Sequence, residues 1–181
     1  MEFRECLKTR RSVRRYTDEK VSREQLSELV ALAQFAPTWK NSQTVRYVIV
    51  DDPERKAEIG EQVVMGFSGN GERIRCCAAL VALVTVEGIS GYDPDGTPTT
   101  VKGSHWESFD AGIACQSFCL AAHDAGLGTV IMGIYDPEKA AQLLQLSEGE
   151  SVACLIALGY PGEGSHGKTT RKPLEEVLRF L

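Results

Sequence analysis

Residues 110–139, DAGIACQSFCLAAHDAGLGTVIMGIYDPEK, predict a long helix, a glycine stop, a short strand and the start of a second helix. The helix, expected over 106–125, is apolar on nearly every side and rich in small residues, so it must be buried at the centre of the fold or against another subunit. Residues 126–128 (GLG) end it, 129–132 are extended, and 136–138 (DPE) place proline at the first helical position.

The segments on either side alternate between helical and extended patterns. Ser22 and Gln25 are spaced as a capping box, and Pro37 stops the helix that follows. Taken alone, this alternation favours a parallel α/β sheet. Further helices are expected at 3–11 and from Pro53, strands at 45–50, 77–86 and 152–158, and loops at 88–105 and in the tail after 158.

The length, net charge and cysteine content of the chain limit the classes of function that it can have. Its 181 residues suit one domain with a buried core, so a single domain is expected over 1–181. A net charge of −5 argues against a general nucleic-acid binder. No leader is visible at the start, and no apolar run suits a membrane span. Six cysteines without C-x-x-C spacing argue against a zinc site and indicate buried, reduced thiols in a cytoplasmic protein.

Two common enzyme classes are disfavoured by missing motifs. No strand is followed by G-x-G-x-x-G and no Walker-type phosphate loop occurs, which argues against a Rossmann dehydrogenase. Cysteine, histidine and asparagine are present but nothing arranges them as a thiol hydrolase.

Residues 10–15, RRSVRR, concentrate four arginines around one serine in this acidic chain. Guanidinium groups bind phosphate through paired hydrogen bonds, and a serine hydroxyl adds a further donor. The segment is therefore a candidate site for one small anion, with a solvated helix end as the ordinary alternative.

Four segments, in their order and spacing, resemble the nitroreductase-like family of FMN-dependent NAD(P)H oxidoreductases. They are RRSVRRY (10–16), APTWKNSQ (36–43), the stretch 110–139, and ALGYPGEG…RKPLEEVL (157–178). The resemblance implies an α+β fold with a central mixed, mostly antiparallel sheet flanked by helices, and a homodimer with FMN at its interface. This expectation replaces the parallel sheet that element order alone favours.

The resemblance also implies which residues bind the phosphate end of FMN. Arg10 and Ser12 match the phosphate contacts, and Arg11 would reach the ribityl chain or the phosphate. Arg14 matches a basic residue near the pyrimidine edge, where a cation raises the reduction potential of the flavin. Arg171 matches a second, C-terminal phosphate contact.

The ring of the flavin is expected to meet two other segments. Asn41 and Gln43 offer the amide donors and acceptors that its N3–H and carbonyl edge requires, although Thr44-Val45 stand where the family usually has Pro-Trp. Trp39 matches a position near the flavin of the partner subunit, where it could also stack on substrate or simply fill the interface. The strand end that would donate backbone N–H groups to the N5/O4 edge consists of Ile131, Met132 and Gly133.

The implied activity is reduction of nitroaromatic, quinone-like or other electron-poor acceptors by NAD(P)H. Hydride passes through flavin N5 in a ping-pong sequence, and no side chain acts as a catalytic acid, base or nucleophile. Lys40 and Lys102 are the basic residues available to choose between NADH and NADPH.

Three alternatives stay open. The same scaffold could catalyse reductive dehalogenation, enone reduction or flavin cleavage, as decided by loop 88–105. It could be a non-catalytic flavin-binding or storage module whose ring face is blocked by Trp39 or by that loop. It could bind no flavin and use residues 10–15 for an acidic partner. The loop residues that could touch a substrate are Tyr92, Lys102, His105 and Trp106.

Overall fold

The computed structural model describes residues 1–165, 167 and 169–181. These residues form six α-helices, four strands and two short 3₁₀ turns. The helices are α1 Phe3–Thr9, α2 Arg23–Ala33, α3 Pro53–Gln62, α4 Ser68–Cys76, α5 His105–Asp124 and α6 Pro137–Leu144. The strands are β1 Val45–Val50, β2 Ala79–Val86, β3 Gly128–Met132 and β4 Glu150–Gly159, and the 3₁₀ turns are Trp39–Asn41 and Leu174–Glu176.

The four strands form one sheet in the order β1-β2-β4-β3, and all three pairings are antiparallel. The expected α+β fold with a mostly antiparallel sheet is therefore confirmed. The parallel sheet favoured by element order alone is wrong, because a helix between two strands does not fix their relative direction. Within the described residues, one parallel bridge occurs, between Ser12 and Thr129.

The sheet separates two apolar cores. Helices α2 and α5 cover one face, and α3, α4 and α6 cover the other. Strand β2 is buried on both faces, as its unbroken apolar run predicts. Along it, Val81 and Leu83 enter the α5 side while Leu80, Ala82 and Val84 enter the opposite side, following the two-residue period of a strand.

The predicted helix starts are confirmed. Ser22 accepts a hydrogen bond from the Gln25 backbone while the Gln25 side chain accepts one from the Ser22 backbone, so the capping box at α2 is complete. At α6, Asp136 accepts from the Lys139 N–H, and Pro137 occupies the first turn.

Helix α4 is absent from the sequence prediction, which ends the preceding helix near residues 66–71. Gly69 and Gly71 lower its intrinsic helix propensity. Gly71 nevertheless lets it approach α3 closely, because a methyl group on Gly71 would lie 2.5 Å from the Gly60 carbonyl oxygen. Packing against α3 therefore stabilises a helix whose own residues have low helix propensity.

The prediction that the cysteines are buried is wrong for one of them. All six are free, but Cys76 is exposed and Cys154 is half-buried. Burial raises the pKa of the Cys77 thiol to about 11, so this neighbouring group stays protonated at neutral pH.

Helix α5 is the longest element, and one side of it faces away from the core. Phe118 and Ala122 are fully buried under the sheet. On the other side Phe109 is 54% exposed, and Gly112 and Gln116 are also exposed. The expected burial on all sides is thus incomplete within one chain. No helix in the described ranges is long and apolar enough to cross a bilayer.

Candidate functional site

The arginine segment 10–15 lies along β3. Ser12 bridges Thr129, and the N–H of Val13 donates to the Thr129 carbonyl oxygen at 2.9 Å. Gly128 makes this approach possible, because a methyl group there would fall 2.5 Å from Cγ2 of Val13. Two of the segments singled out by the sequence are thereby brought side by side at the edge of the sheet.

The loop after β4 holds the other side of the arginine segment. The N–H of Arg14 donates to the Ser165 carbonyl at 2.8 Å, and the Gly162 N–H donates to the Arg15 carbonyl at 2.9 Å. The hydroxyl of Tyr16 lies 2.8 Å from the Val13 carbonyl oxygen. Backbone contacts on both sides therefore fix the positions from which the arginine side chains project.

None of the four arginines in this segment forms a salt bridge with a described residue. Arg10 and Ser12 are half-buried, and neither the Arg10 guanidinium nor the Ser12 hydroxyl has a hydrogen-bond partner in the described part of the chain. A half-buried cation without a counter-charge is unfavourable, and a phosphate dianion would supply both the charge and the acceptors. The residues present thus fit the phosphate group of FMN.

The structure gives Arg11 and Arg14 additional contacts. Arg11 Nη1 donates to the carbonyls of Lys8 at 2.7 Å and Arg10 at 2.8 Å, at the C-terminal end of α1, where a cation is favourable. Arg14 is exposed, and its Nη1 donates to the Ser12 carbonyl at 3.2 Å.

A cavity of about 610 Å³ opens beside Arg14 and Arg15. Arg73 on α4 also lines it, and the Arg73 Nε is buried without a hydrogen-bond partner among the described residues. Arg73 lies in the helix that the sequence does not predict, so no sequence pattern indicated it. Glu72 is the one acidic residue in the described lining, which leaves the cavity electropositive.

The structure does not bring Arg171 to the other phosphate candidates. Its Nη1 donates to Thr169 Oγ1 at 3.3 Å and to the Thr170 carbonyl at 3.0 Å, within its own exposed segment. No contact joins it to Arg10 or Ser12 in the described part of the chain.

The end of β3 offers an open surface. Ile131 is 49% exposed, whereas Met132 points into the core and is 3% exposed. Gly133 is exposed, and a methyl group on it would meet no atom within 4 Å. A flat group could approach the backbone at this position.

Segment 38–44 has an unusual backbone. Lys40, Asn41 and Gln43 adopt positive φ angles of 45°, 57° and 52°. Conformations of this kind cost about 1–3 kcal/mol each and persist only where the surroundings enforce them. The side-chain amides of Asn41 and Gln43 are exposed and have no partner in the described chain, so they are available to a ligand.

Trp39 packs against the end of loop 88–105. Its ring centroid is 4.8 Å from that of Trp106, and its Nε1 is buried without a partner among the described residues. Lys40 lies 5.6 Å from the centroid of Trp39, and Lys102 lies 4.9 Å from that of Trp106. The two lysines that could select a nucleotide are therefore both stacked on indoles.

Loop 88–105 is folded rather than irregular. Tyr92 bridges Pro98, and Trp106 Nε1 donates to Thr100 Oγ1 at 2.8 Å. A cavity of about 390 Å³ separates the loop from segment 38–44 and is lined by Trp39, Lys40 and Tyr92, among others. His105 is exposed at the first residue of α5.

Glu107 anchors the start of this loop. Its Oε1 accepts a hydrogen bond from the Gly88 N–H at 2.7 Å. Burial raises the pKa of the Glu107 carboxyl above its usual range.

These features define an α+β protein with an arginine-rich segment along one edge of its sheet and an aromatic cavity between segment 38–44 and loop 88–105. A sequence model of the Nitroreductase family matches residues 7–75 and 78–160. The chain belongs to the Nitroreductase family.

Named relatives agree with this assignment. The FMN reductase [NAD(P)H] of Bacillus subtilis is 32% identical over 92% of this chain and 68% of its own length. The iodotyrosine deiodinase of Nematostella vectensis is 25% identical over 98% of this chain and 74% of its own. The crystal structure of a nitroreductase family protein from Streptococcus pneumoniae superposes with a TM-score of 0.85 at 21% identity, covering 99% of this chain and all of that one, which shows that the fold is shared.

Proposed function

We propose that this chain is an FMN-dependent oxidoreductase that uses NADH or NADPH to reduce nitroaromatic, quinone-like or other electron-poor acceptors. The family and the FMN reductase relative support this class of enzyme. The observation that carries the proposal is the half-buried Arg10 beside Ser12, held at the sheet edge without any carboxylate partner in the described chain. Arginine and serine in this arrangement suit the phosphate of FMN.

The chemistry that FMN supplies when bound is hydride transfer at N5, first from the nicotinamide donor and then to the acceptor in a ping-pong sequence. The residues of the chain bind the FMN and orient its ring. Arg10 and Ser12 hold the phosphate, with Arg11 as a further candidate at that end; Arg171 lies apart from them within one chain.

Three groups of residues are assigned to contacts with the ring of the flavin. Arg14 supplies a positive charge near the pyrimidine edge, which favours the anionic reduced form. The amides of Asn41 and Gln43 select the polar edge, and the open backbone beyond β3 lies against the ring. These backbone contacts are assigned to Ile131, Met132 and Gly133.

The working unit in this proposal is a homodimer that holds FMN at its interface. The exposed side of α5, with Phe109 and Gly112, is a suitable contact surface. The tail supports the same idea, because Val177 and Phe180 are 67% and 85% exposed. A cytoplasmic location is part of the proposal, since six unpaired cysteines suit a reducing compartment.

Reductive dehalogenation of an aromatic acceptor is a second candidate reaction. The cavity lined by Trp39 and Tyr92 suits an aromatic ring. The deiodinase relative is the comparison that favours it.

Initial-rate kinetics distinguish reduction of nitroaromatic or quinone-like acceptors from reductive dehalogenation. Rates should be measured over a matrix of NADH or NADPH against a nitrobenzoate, a benzoquinone and an iodophenol. A ping-pong enzyme gives parallel double-reciprocal lines, and release of iodide would identify dehalogenation. Oxidation of neither nucleotide with any acceptor would contradict the proposed activity.

A further inference from the structure

Asp110 is a buried carboxylate that pairs with no cation. It lies on α5, is 2% exposed and forms no salt bridge in the described part of the chain. A buried charge of this kind is unfavourable unless hydrogen bonds satisfy it. The contacts of its oxygen atoms therefore indicate what it does.

Oδ2 of Asp110 accepts two hydrogen bonds, from two different segments. The N–H of Trp39 donates at 2.9 Å, and the hydroxyl of Ser90 donates at 2.6 Å. Trp39 begins the 3₁₀ turn that leads to Asn41 and Gln43. Ser90 lies in loop 88–105, so one oxygen atom ties the two segments to the same helix.

Ser90 extends the connection. It is fully buried, and its Oγ lies 3.1 Å from Ser42 Oγ and 3.2 Å from Thr44 Oγ1. Hydroxyl groups thus link the C-terminal part of the left-handed segment to the loop, while Asp110 holds its start. Asp110 is the only charged member of this cluster among the described residues. Networks of this kind fix one arrangement when every member is satisfied.

We propose that Asp110 is a positioning residue that sets the flavin-edge segment 38–44 and the loop 88–105 as one unit. Its carboxylate holds the Trp39 N–H at the start of the left-handed turn, which directs the amides of Asn41 and Gln43 outward. Through Ser90 it also fixes the loop that closes the aromatic cavity. The part that concerns the flavin rests on the proposed function, whereas the coupling of the two segments does not.

Hydrogen exchange of backbone amides, followed by mass spectrometry, tests the coupling in the full-length protein. Asp110→Ala removes both acceptor contacts, and Asp110→Asn retains an oxygen that can accept them. Glu107→Ala is the matched control, because it truncates another buried carboxylate on α5, whose one hydrogen bond among the described residues is to Gly88. Ser90→Ala removes the link to the loop while leaving Asp110 in place.

The proposal predicts that Asp110→Ala speeds exchange by about tenfold or more in peptides from both 38–44 and 88–105. Asp110→Asn should restore most of the protection in both. Glu107→Ala should speed exchange only around Gly88. If Asp110→Ala does not fold, Ser90→Ala decides the matter, because it should loosen both segments. Unchanged exchange in 38–44 in the folded variant would overturn the proposal.

Titration with FMN supplies the second readout. Asp110→Ala should raise the Kd for FMN by about tenfold and shift its visible absorption band, because the edge amides are no longer preorganised. Asp110→Asn should recover both, and Glu107→Ala should change neither. Loosened segments with unaltered FMN affinity and spectrum would restrict Asp110 to a structural role and overturn the positioning claim. A wild-type chain that takes up no FMN would contradict the proposed function, and the exchange result would still decide the coupling.

Discussion

Gly128 and Val13 are in such close contact that a methyl group on Gly128 would lie 2.5 Å from Cγ2 of Val13. This approach lets the arginine segment lie against β3, with the Val13 N–H bonded to the Thr129 carbonyl. The geometry of the proposed phosphate site therefore depends on a residue that carries no side chain.

Gly128→Ala should lower the free energy of unfolding by about 1–3 kcal/mol, since the added methyl overpacks a buried contact. FMN binding should weaken with it. In a Val13→Ala background the same change should cost less, because both γ-methyl groups of Val13 are gone and only its Cβ, 2.6 Å from the added methyl, still clashes. Urea denaturation of the four proteins in this cycle measures the effect, and equal costs in both backgrounds would contradict it.

Arg10→Ala should weaken FMN binding by about 1.5–3 kcal/mol, the contribution of a hydrogen bond to a charged group. Arg15→Ala is the matched control, because Arg15 belongs to the same cluster but has no assigned role. Quenching of FMN fluorescence on binding gives both affinities. Equal affinities for the two variants would remove Arg10 from the phosphate site.

Arg14→Ala should retain FMN but lower its reduction potential, because the cation stabilises the anionic reduced ring. Loss of about 1.4 kcal/mol of this interaction corresponds to about 30 mV for a two-electron couple. Equilibration with a reference dye under anaerobic conditions measures the potential. A potential equal to that of the wild type would place Arg14 away from the flavin. Its role would then be to line the cavity that it shares with Arg73.

The parts of the fold that could be predicted from sequence rest on local patterns. The Ser22 capping box and the unbroken apolar run of β2 each carry their own signal. Helix α4 could not be found in this way, because its two glycines lower its helix propensity and the compensating contact of Gly71 with α3 is tertiary. Strand direction was obtained from the family resemblance and not from the order of elements.

The candidate site likewise has features that the sequence indicates and contacts that only the folded structure shows. The composition of RRSVRR indicates an anion site, but its contact with Thr129 joins residues far apart in the chain. The link from Asp110 to Ser90 likewise depends on tertiary folding, and neither residue belongs to a recognisable motif. Sequence therefore indicates which groups are candidates for binding and not what holds them in place.

Glu107→Gln should become more stabilising, relative to wild type, as the pH rises above about 4. Because burial raises the Glu107 pKa, the folded wild type binds a proton more tightly than the unfolded chain. Its stability contribution is present below the unfolded pKa and falls as the pH rises through the folded pKa. Glutamine does not titrate. Urea unfolding of both proteins at pH 4, 5, 6 and 7 measures the difference, and a constant or decreasing difference would contradict the burial effect.

Gly112→Arg should convert the proposed dimer to a monomer, because it places a long charged side chain on the exposed side of α5. Glu138→Arg on the exposed surface of α6 is the control and should leave the dimer intact. Sedimentation velocity distinguishes the 19.8 kDa monomer from a particle of twice that mass. A monomeric wild type, or a dimer that survives Gly112→Arg, would place the interface elsewhere or remove it.

The central claim is that Arg10, Ser12 and their neighbours hold FMN for reduction by a nicotinamide nucleotide. Its most direct test is the visible absorption spectrum of the purified protein after incubation with FMN and removal of free flavin, followed anaerobically during addition of NADH and then NADPH. The account predicts a bound flavin band that bleaches with at least one nucleotide. A protein that retains no flavin, or a bound flavin that neither nucleotide reduces, would contradict it.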